Sequence, residues 1–105
     1  MKVAAVGDPT FIAGFELIGI EGFMAETAKE AKEIVSELIK RDEYGLIILP
    51  ERFVEATEEL RLMLMKEGRL TPLFAFLPDY TGVRGKRVEE LKKLLSLAVG
   101  AELKL

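Results

Sequence analysis

Apolar and polar residues are arranged in blocks along this chain: short, wholly apolar runs give way to longer stretches with helical spacing. Val3–Val6 is apolar throughout, the pattern of a strand buried on both faces. Asp8 follows as an N-cap with Pro9 at the first helical position, which predicts a short helix over Thr10 to Ile18. Gly19–Ile20–Glu21–Gly22 reads as a turn into a second, weaker strand, Phe23–Ala25. "TAKE", Thr27 to Glu30, is a capping box, in which hydroxyl and carboxylate satisfy exposed backbone amides reciprocally. Behind it Ala31, Ile34, Val35, Leu38 and Ile39 recur at helical spacing, with Lys and Glu opposite.

"YGLIILP" predicts a third buried strand, Gly45–Leu49, stopped by Pro50. A third helix is expected from Glu51 to Lys66, with Gly68 just past its end. "PLFAFLP" supplies a fourth strand between Pro72 and Pro78. The polar loop "DYTGVRG" then leads to a last helix from about Lys86 to Ala98, ended by Gly100. Strands that alternate with helices and are apolar throughout call for a parallel sheet covered on both faces. The expected fold class is therefore α/β, a small doubly wound four-stranded parallel sheet (Rossmann-like or flavodoxin-like) with a C-terminal amphipathic helix. Residues 1–78 form the expected α/β domain, and residues 79–105 a loop and a docking helix.

Composition narrows the function. With 105 residues the chain fits one domain and one modest core. It has neither cysteine nor histidine, so disulfides, thiolate metal sites, imidazole ligands and the usual general base near neutral pH are unavailable. Neither a signal segment nor an apolar stretch long enough to span a bilayer is present, which points to an intracellular soluble protein. Residues 1–78 carry 9 Lys/Arg against 14 Asp/Glu, net −5, and residues 79–105 carry 6 against 4, net +2, which together give the overall −3. An acidic body argues against nucleic acid as a partner, because phosphate binding needs a concentrated basic face.

Four features of the chain invite a chemical reading. Gly7 and Gly14 suggest a phosphate loop after the first strand, but Pro9 removes an amide, and Asp8 puts negative charge where the phosphate would sit. A structural cap and turn fits better. "GVRGKR", residues 82–87, has two residues between its glycines where a P-loop needs four, and Arg87 where it needs Ser or Thr. A phosphoacceptor domain needs an aspartate at the end of the third strand, where this chain has Leu49–Pro50–Glu51. The acid pairs Asp42–Glu43, Glu58–Glu59 and Glu89–Glu90 lie on or beside helices rich in Lys and Arg, as on a solvated face. No enzyme activity, cofactor or metal is expected.

Apolar surface remains. "LRLMLM", Leu60 to Met65, is apolar almost all round the end of the third helix, so that Leu62 or Met65 is either buried at the helix end or left outward for a partner. In the last helix Val88, Leu91, Leu94, Leu95 and Ala98 form a stripe, with Lys92 and Lys93 opposite. That helix can pack back on its own body or lie along a helix of another protein.

Two terminal motifs add a family. Gly7–Asp8, Gly14–Phe15–Glu16–Leu17 and Gly19–Ile20 at the start, with Val99–Gly100 and Leu103–Leu105 at the end, resemble the F subunit of the archaeal A-type and bacterial V-type ATP synthases. In the middle, "LIILPERFVEA" has the family's apolar strand and acidic helix start, with Pro50 as a departure. The resemblance implies a non-catalytic component of the central stalk, cytoplasmic and peripheral to the membrane as part of the synthase. It implies binding to the coiled-coil D subunit, contact with the catalytic head, and help in coupling rotation to ATP synthesis or hydrolysis. The C-terminal helix is then a mobile regulatory element, and Val88, Leu91, Lys92, Lys93, Leu94, Leu95 and Ala98 are its partner-binding residues. Two other readings compete: a stand-alone α/β domain binding a small anionic ligand at the strand carboxyl ends, near Asp8, Pro50 and Pro78, and a homo-oligomeric scaffold using Leu60–Met65.

Overall fold

The computed structural model describes residues 1–78. In chain order these form β1 (Lys2–Gly7), α1 (Pro9–Glu16), β2 (Glu21–Met24), α2 (Ala28–Arg41), β3 (Tyr44–Pro50), a 3-10 turn (Glu51–Phe53), α3 (Glu58–Lys66) and β4 (Leu73–Leu77). The four strands make one parallel sheet in the order β2-β1-β3-β4. The α/β class and the parallel sheet are as the block pattern predicts.

Alternation along each strand sorts the core into two layers. On one face Ala4, Val6, Ile47 and Leu49 meet Ala31, Val35, Leu38 and Ile39 of α2 and Leu64 of α3, with Phe74 and Phe76 half-buried against them. On the other, Ala5 and Ile48 meet Phe11, Ile12 and Phe15 of α1. Among the described elements, right-handed crossovers in this strand order put α1 alone on its face and both later helices on the opposite one. The α1 face is consequently thinly covered over β3 and β4: Leu46, Ala75 and Leu77 are only half-buried there, and Leu73 stays 50% exposed.

Local chemistry explains most boundaries. The Thr27 hydroxyl accepts from the Glu30 amide at 3.1 Å while Glu30 Oε1 accepts from the Thr27 amide at 3.2 Å, completing the predicted capping box. Glu30 also accepts from the Glu26 amide at 2.9 Å, and these backbone donors, Glu26 first, hold its carboxyl below the ordinary value of 4.5. Gly19 and Gly68 follow α1 and α3 with φ of 87° and 72°, so each takes the left-handed position that terminates a helix. α1 stops at Glu16, two residues before the expected Ile18, because the Gly19 and Ile20 amides turn back onto the Glu16 and Phe15 carbonyls. β2 begins at Glu21, not Phe23: Glu21 and Gly22 pair with Ala4 and Ala5 and belong to the strand. Pro50 is the last residue of β3, opposite Leu77, and does not lie outside the strand.

The largest correction concerns the helix expected over Glu51 to Lys66. It is broken, with a 3-10 turn at Glu51–Phe53 and α3 proper starting at Glu58. Thr57 is fully buried between them, and its hydroxyl donates to the Phe53 carbonyl at 3.0 Å. Arg61 reaches back, donating Nη2 to the Val54 carbonyl at 2.6 Å and Nε to the Thr57 hydroxyl at 3.2 Å. The Val54 carbonyl thus goes to the Thr57 hydroxyl and Arg61 while the Glu58 amide turns to the Glu55 carbonyl, which lets the chain bend.

Candidate functional site

Three surfaces are candidates. The first is the carboxyl end of the sheet at β1 and β3, where the direction of winding reverses and α/β folds place ligands. Asp8 caps α1 there, its Oδ1 accepting from the Phe11 amide at 2.8 Å. Its Oδ2 accepts from Arg52 Nη2 at 2.8 Å, across 44 residues of sequence. Arg52 in turn lies over the Phe53 ring, 4.8 Å from its centroid. One carboxylate of the chain therefore takes both the helix N-terminus and the arginine that an anionic ligand would need.

Gly7 and Gly22 have packing reasons. A Cβ on Gly7 would stand 2.6 Å from Phe11 Cδ2, so the bare backbone is what lets that ring lie over the end of β1. At Gly22 a Cβ would come within 3.0 Å of Ile12 Cβ, so this glycine sets how closely α1 approaches β2. Cap, turn and close packing account for the stretch that resembled a phosphate loop.

At the opposite, amino end of the sheet, polar groups satisfy one another. The buried Tyr44 hydroxyl donates to Glu21 Oε1 at 2.7 Å, and Lys2 pairs with Glu43 at 2.8 Å. Burial first, then the bond to Glu21, pushes the Tyr44 phenol above its ordinary value of 10.0. No buried side-chain nitrogen or oxygen among the described residues lacks a partner.

The second surface is α3. Leu64 is buried, and Leu60 is half-buried on the same side. Leu62, Met63 and Met65 are 49%, 40% and 73% exposed. Of the two alternatives for "LRLMLM", burial at the helix end or outward display, the described structure has the second. Arg61 lies over the Phe76 ring at 5.1 Å and seals the β4 side of the helix, while Lys32 of α2 reaches Glu59 at 3.4 Å on the other.

The third surface, the stripe Val88, Leu91, Leu94, Leu95 and Ala98 with Lys92 and Lys93, lies outside the described residues, as do Gly82, Gly85 and the pair Glu89–Glu90. Sequence reasoning missed Arg52 as the partner of Asp8 and the half-bare sheet face around Leu73. Neither leaves a local signal, since each depends on strands and loops distant in sequence.

Comparison with known proteins reaches across most of the chain. Residues 3–95 match the family described as ATP synthase (F/14-kDa) subunit. The F subunit of the A-type ATP synthase of Methanococcus aeolicus is 35% identical over 105 residues, 99% of this chain and 100% of that protein. Its counterpart in the A-type ATP synthase of Methanothermobacter thermautotrophicus is 32% identical, covering 97% of this chain and 95% of its own length. The F subunit of the V-type ATP synthase of Thermus thermophilus is 29% identical across 98% of this chain and 100% of that protein.

Proposed function

The chain belongs to the family of ATP synthase (F/14-kDa) subunits, and from that premise we propose that it is the non-catalytic F subunit of a central rotor stalk, bound to the coiled-coil D subunit. In this role it helps couple rotation to ATP synthesis or hydrolysis in the catalytic head. It sits on the cytoplasmic side and reaches the membrane only through the complex; among the described residues no helix is long and apolar enough to cross a bilayer.

The observation that carries this reading is end-to-end similarity to proteins named for this component of the synthase, at 95–100% of their own lengths. An ion pair at the carboxyl end of the sheet supports it, because Asp8 holds Arg52 where a metabolite-binding relative of this fold would recognise its ligand. The division of labour is a body, residues 1–78, and a tail, residues 79–105, whose stripe Val88, Leu91, Leu94, Leu95 and Ala98 docks along the coiled coil. Lys92 and Lys93 meet acidic residues on the stalk or head.

Co-expression with the coiled-coil stalk protein should give one stable heterodimer on gel filtration. Two separate peaks at micromolar concentration would count against the reading. Leu91→Asp should weaken that complex at least about tenfold, since burying an unpaired charge in an apolar seam is costly. Unchanged affinity would remove the tail stripe from the interface.

A further inference from the structure

α3 is joined to the body by a bend whose hydrogen bonds are unlike those of a regular helix. The Glu58 amide donates to the Glu55 carbonyl at 3.2 Å, one residue short of its α-helical acceptor, Val54. Arg61 occupies that acceptor instead, with Nη2 donating to the Val54 carbonyl at 2.6 Å. Its Nε donates to the hydroxyl of the buried Thr57, and its guanidinium covers the Phe76 ring of β4. One side chain of α3 thus grips the bend and the sheet together. The remaining attachments are slight. Leu64 is buried and Leu60 half-buried, and no side chain caps the first turn. Lys32–Glu59 and Arg69–Asp42, the ion pairs at either end, are largely exposed, and such pairs contribute little. Gly68, with φ of 72°, gives the far end a glycine joint.

We propose that α3 is a hinged unit that opens while β1, β3 and α2 stay folded, and that Arg61 is the pin holding it closed. The hinge is the bend at Val54–Thr57, anchored on its near side by the buried Phe53. Segments with few buried apolar contacts open ahead of the rest of a fold, and α3 is such a segment. Once off the sheet, a helix of nine residues has too little of its own cooperativity to persist and unravels. Arg61 opposes that step because leaving the seat breaks all its contacts at once: the Val54 carbonyl, the Thr57 hydroxyl and the Phe76 ring. Opening uncovers Phe76, so the pin also governs when that ring meets water. α2 has no comparable weakness, since its capping box and four buried residues fasten it along its length.

Native-state amide hydrogen exchange on the full chain, followed by NMR at low denaturant concentrations, tests both parts. In the wild type the amides of Leu62 to Lys66 should exchange at least about tenfold faster than those of Ala4–Val6 and Ile47–Leu49, corrected for intrinsic rates. Their rates should also respond less steeply to denaturant, because a local opening exposes less surface than global unfolding. Equal protection and one common slope would overturn the hinge, and this measurement needs no variant. Arg61→Ala should speed exchange at Leu62–Lys66 at least about fivefold and leave the two strands within about twofold. No change in α3, or an equal increase everywhere, would overturn the pin. Arg61→Lys keeps a cation near Phe76 but lacks the fork that reaches Val54 and Thr57 together, so it should restore less than half of the lost protection. Full restoration by lysine would overturn the pin as well, since charge alone would then hold α3 closed.

Discussion

α2 and α3 lie on one face of the same sheet and touch through Lys32 and Glu59, yet they are stabilised and exposed in different ways. α2 has fourteen residues, a complete capping box, basic residues in its last turn and a charged exterior. Its inward side, Ala31, Val35, Leu38 and Ile39, is almost wholly removed from water. α3 has nine residues and no side-chain N-cap bond; Thr57, at that position, spends its hydroxyl on the Phe53 and Val54 carbonyls instead. Only Leu64 of α3 is fully buried. A helix so short and so lightly seated depends on tertiary contact for its existence. The contrast shows that helical periodicity serves two different ends here: in α2 it builds core, and in α3 it divides apolar residues between the core and the outside.

The sharpest way to break that comparison is to truncate the two sides of α3 separately. Leu64→Ala should cost about 2–5 kcal/mol in chemical denaturation, the range for a buried leucine that leaves a cavity. Leu62→Ala should stay within about 0.5 kcal/mol, as surface changes do. Equal losses at the two positions would mean that Leu62 is core.

A smaller effect is expected at the α2 cap. Thr27→Ala should cost about 1 kcal/mol, because the Glu30 amide loses its acceptor. The same cap gives α2 an acid dependence. Glu30 is held below its ordinary value of 4.5 in the folded chain, so its contribution to stability is present above that value and is lost as pH falls through the lower folded value. Acid titration of Thr27→Ala alongside the wild type should show a reduced difference at low pH. A difference independent of pH would separate the hydroxyl from the carboxylate. The smallest effect belongs to Lys32–Glu59, which joins the two helices at 3.4 Å on an exposed surface. A double-mutant cycle should return under about 0.5 kcal/mol, and a larger coupling would mean the helices act as one unit.

Much of this arrangement was legible in the residues themselves. Apolar runs bounded by Gly and Pro marked four strands, "TAKE" marked the start of α2, and Asp8–Pro9 marked that of α1, because caps and strand periodicity are relations between near neighbours. The absence of histidine and cysteine limited the available chemistry before any geometry was known. The two terminal motifs led to the family to which the chain belongs.

Other features were decided only when distant segments met. The bend before α3 rests on Thr57 being buried and on Arg61 reaching the Val54 carbonyl, which spacing along the chain does not encode. Arg52 found Asp8 because β3 lies beside β1, and that contact puts an ion pair at the carboxyl end of the sheet. Which apolar residues of α3 face outward depended on the angle at which the helix meets the sheet, since a segment apolar nearly all round carries no internal mark of its buried side. Local order follows from bonds between neighbouring residues; the choice of what to bury follows from surfaces that exist only once the strands are assembled.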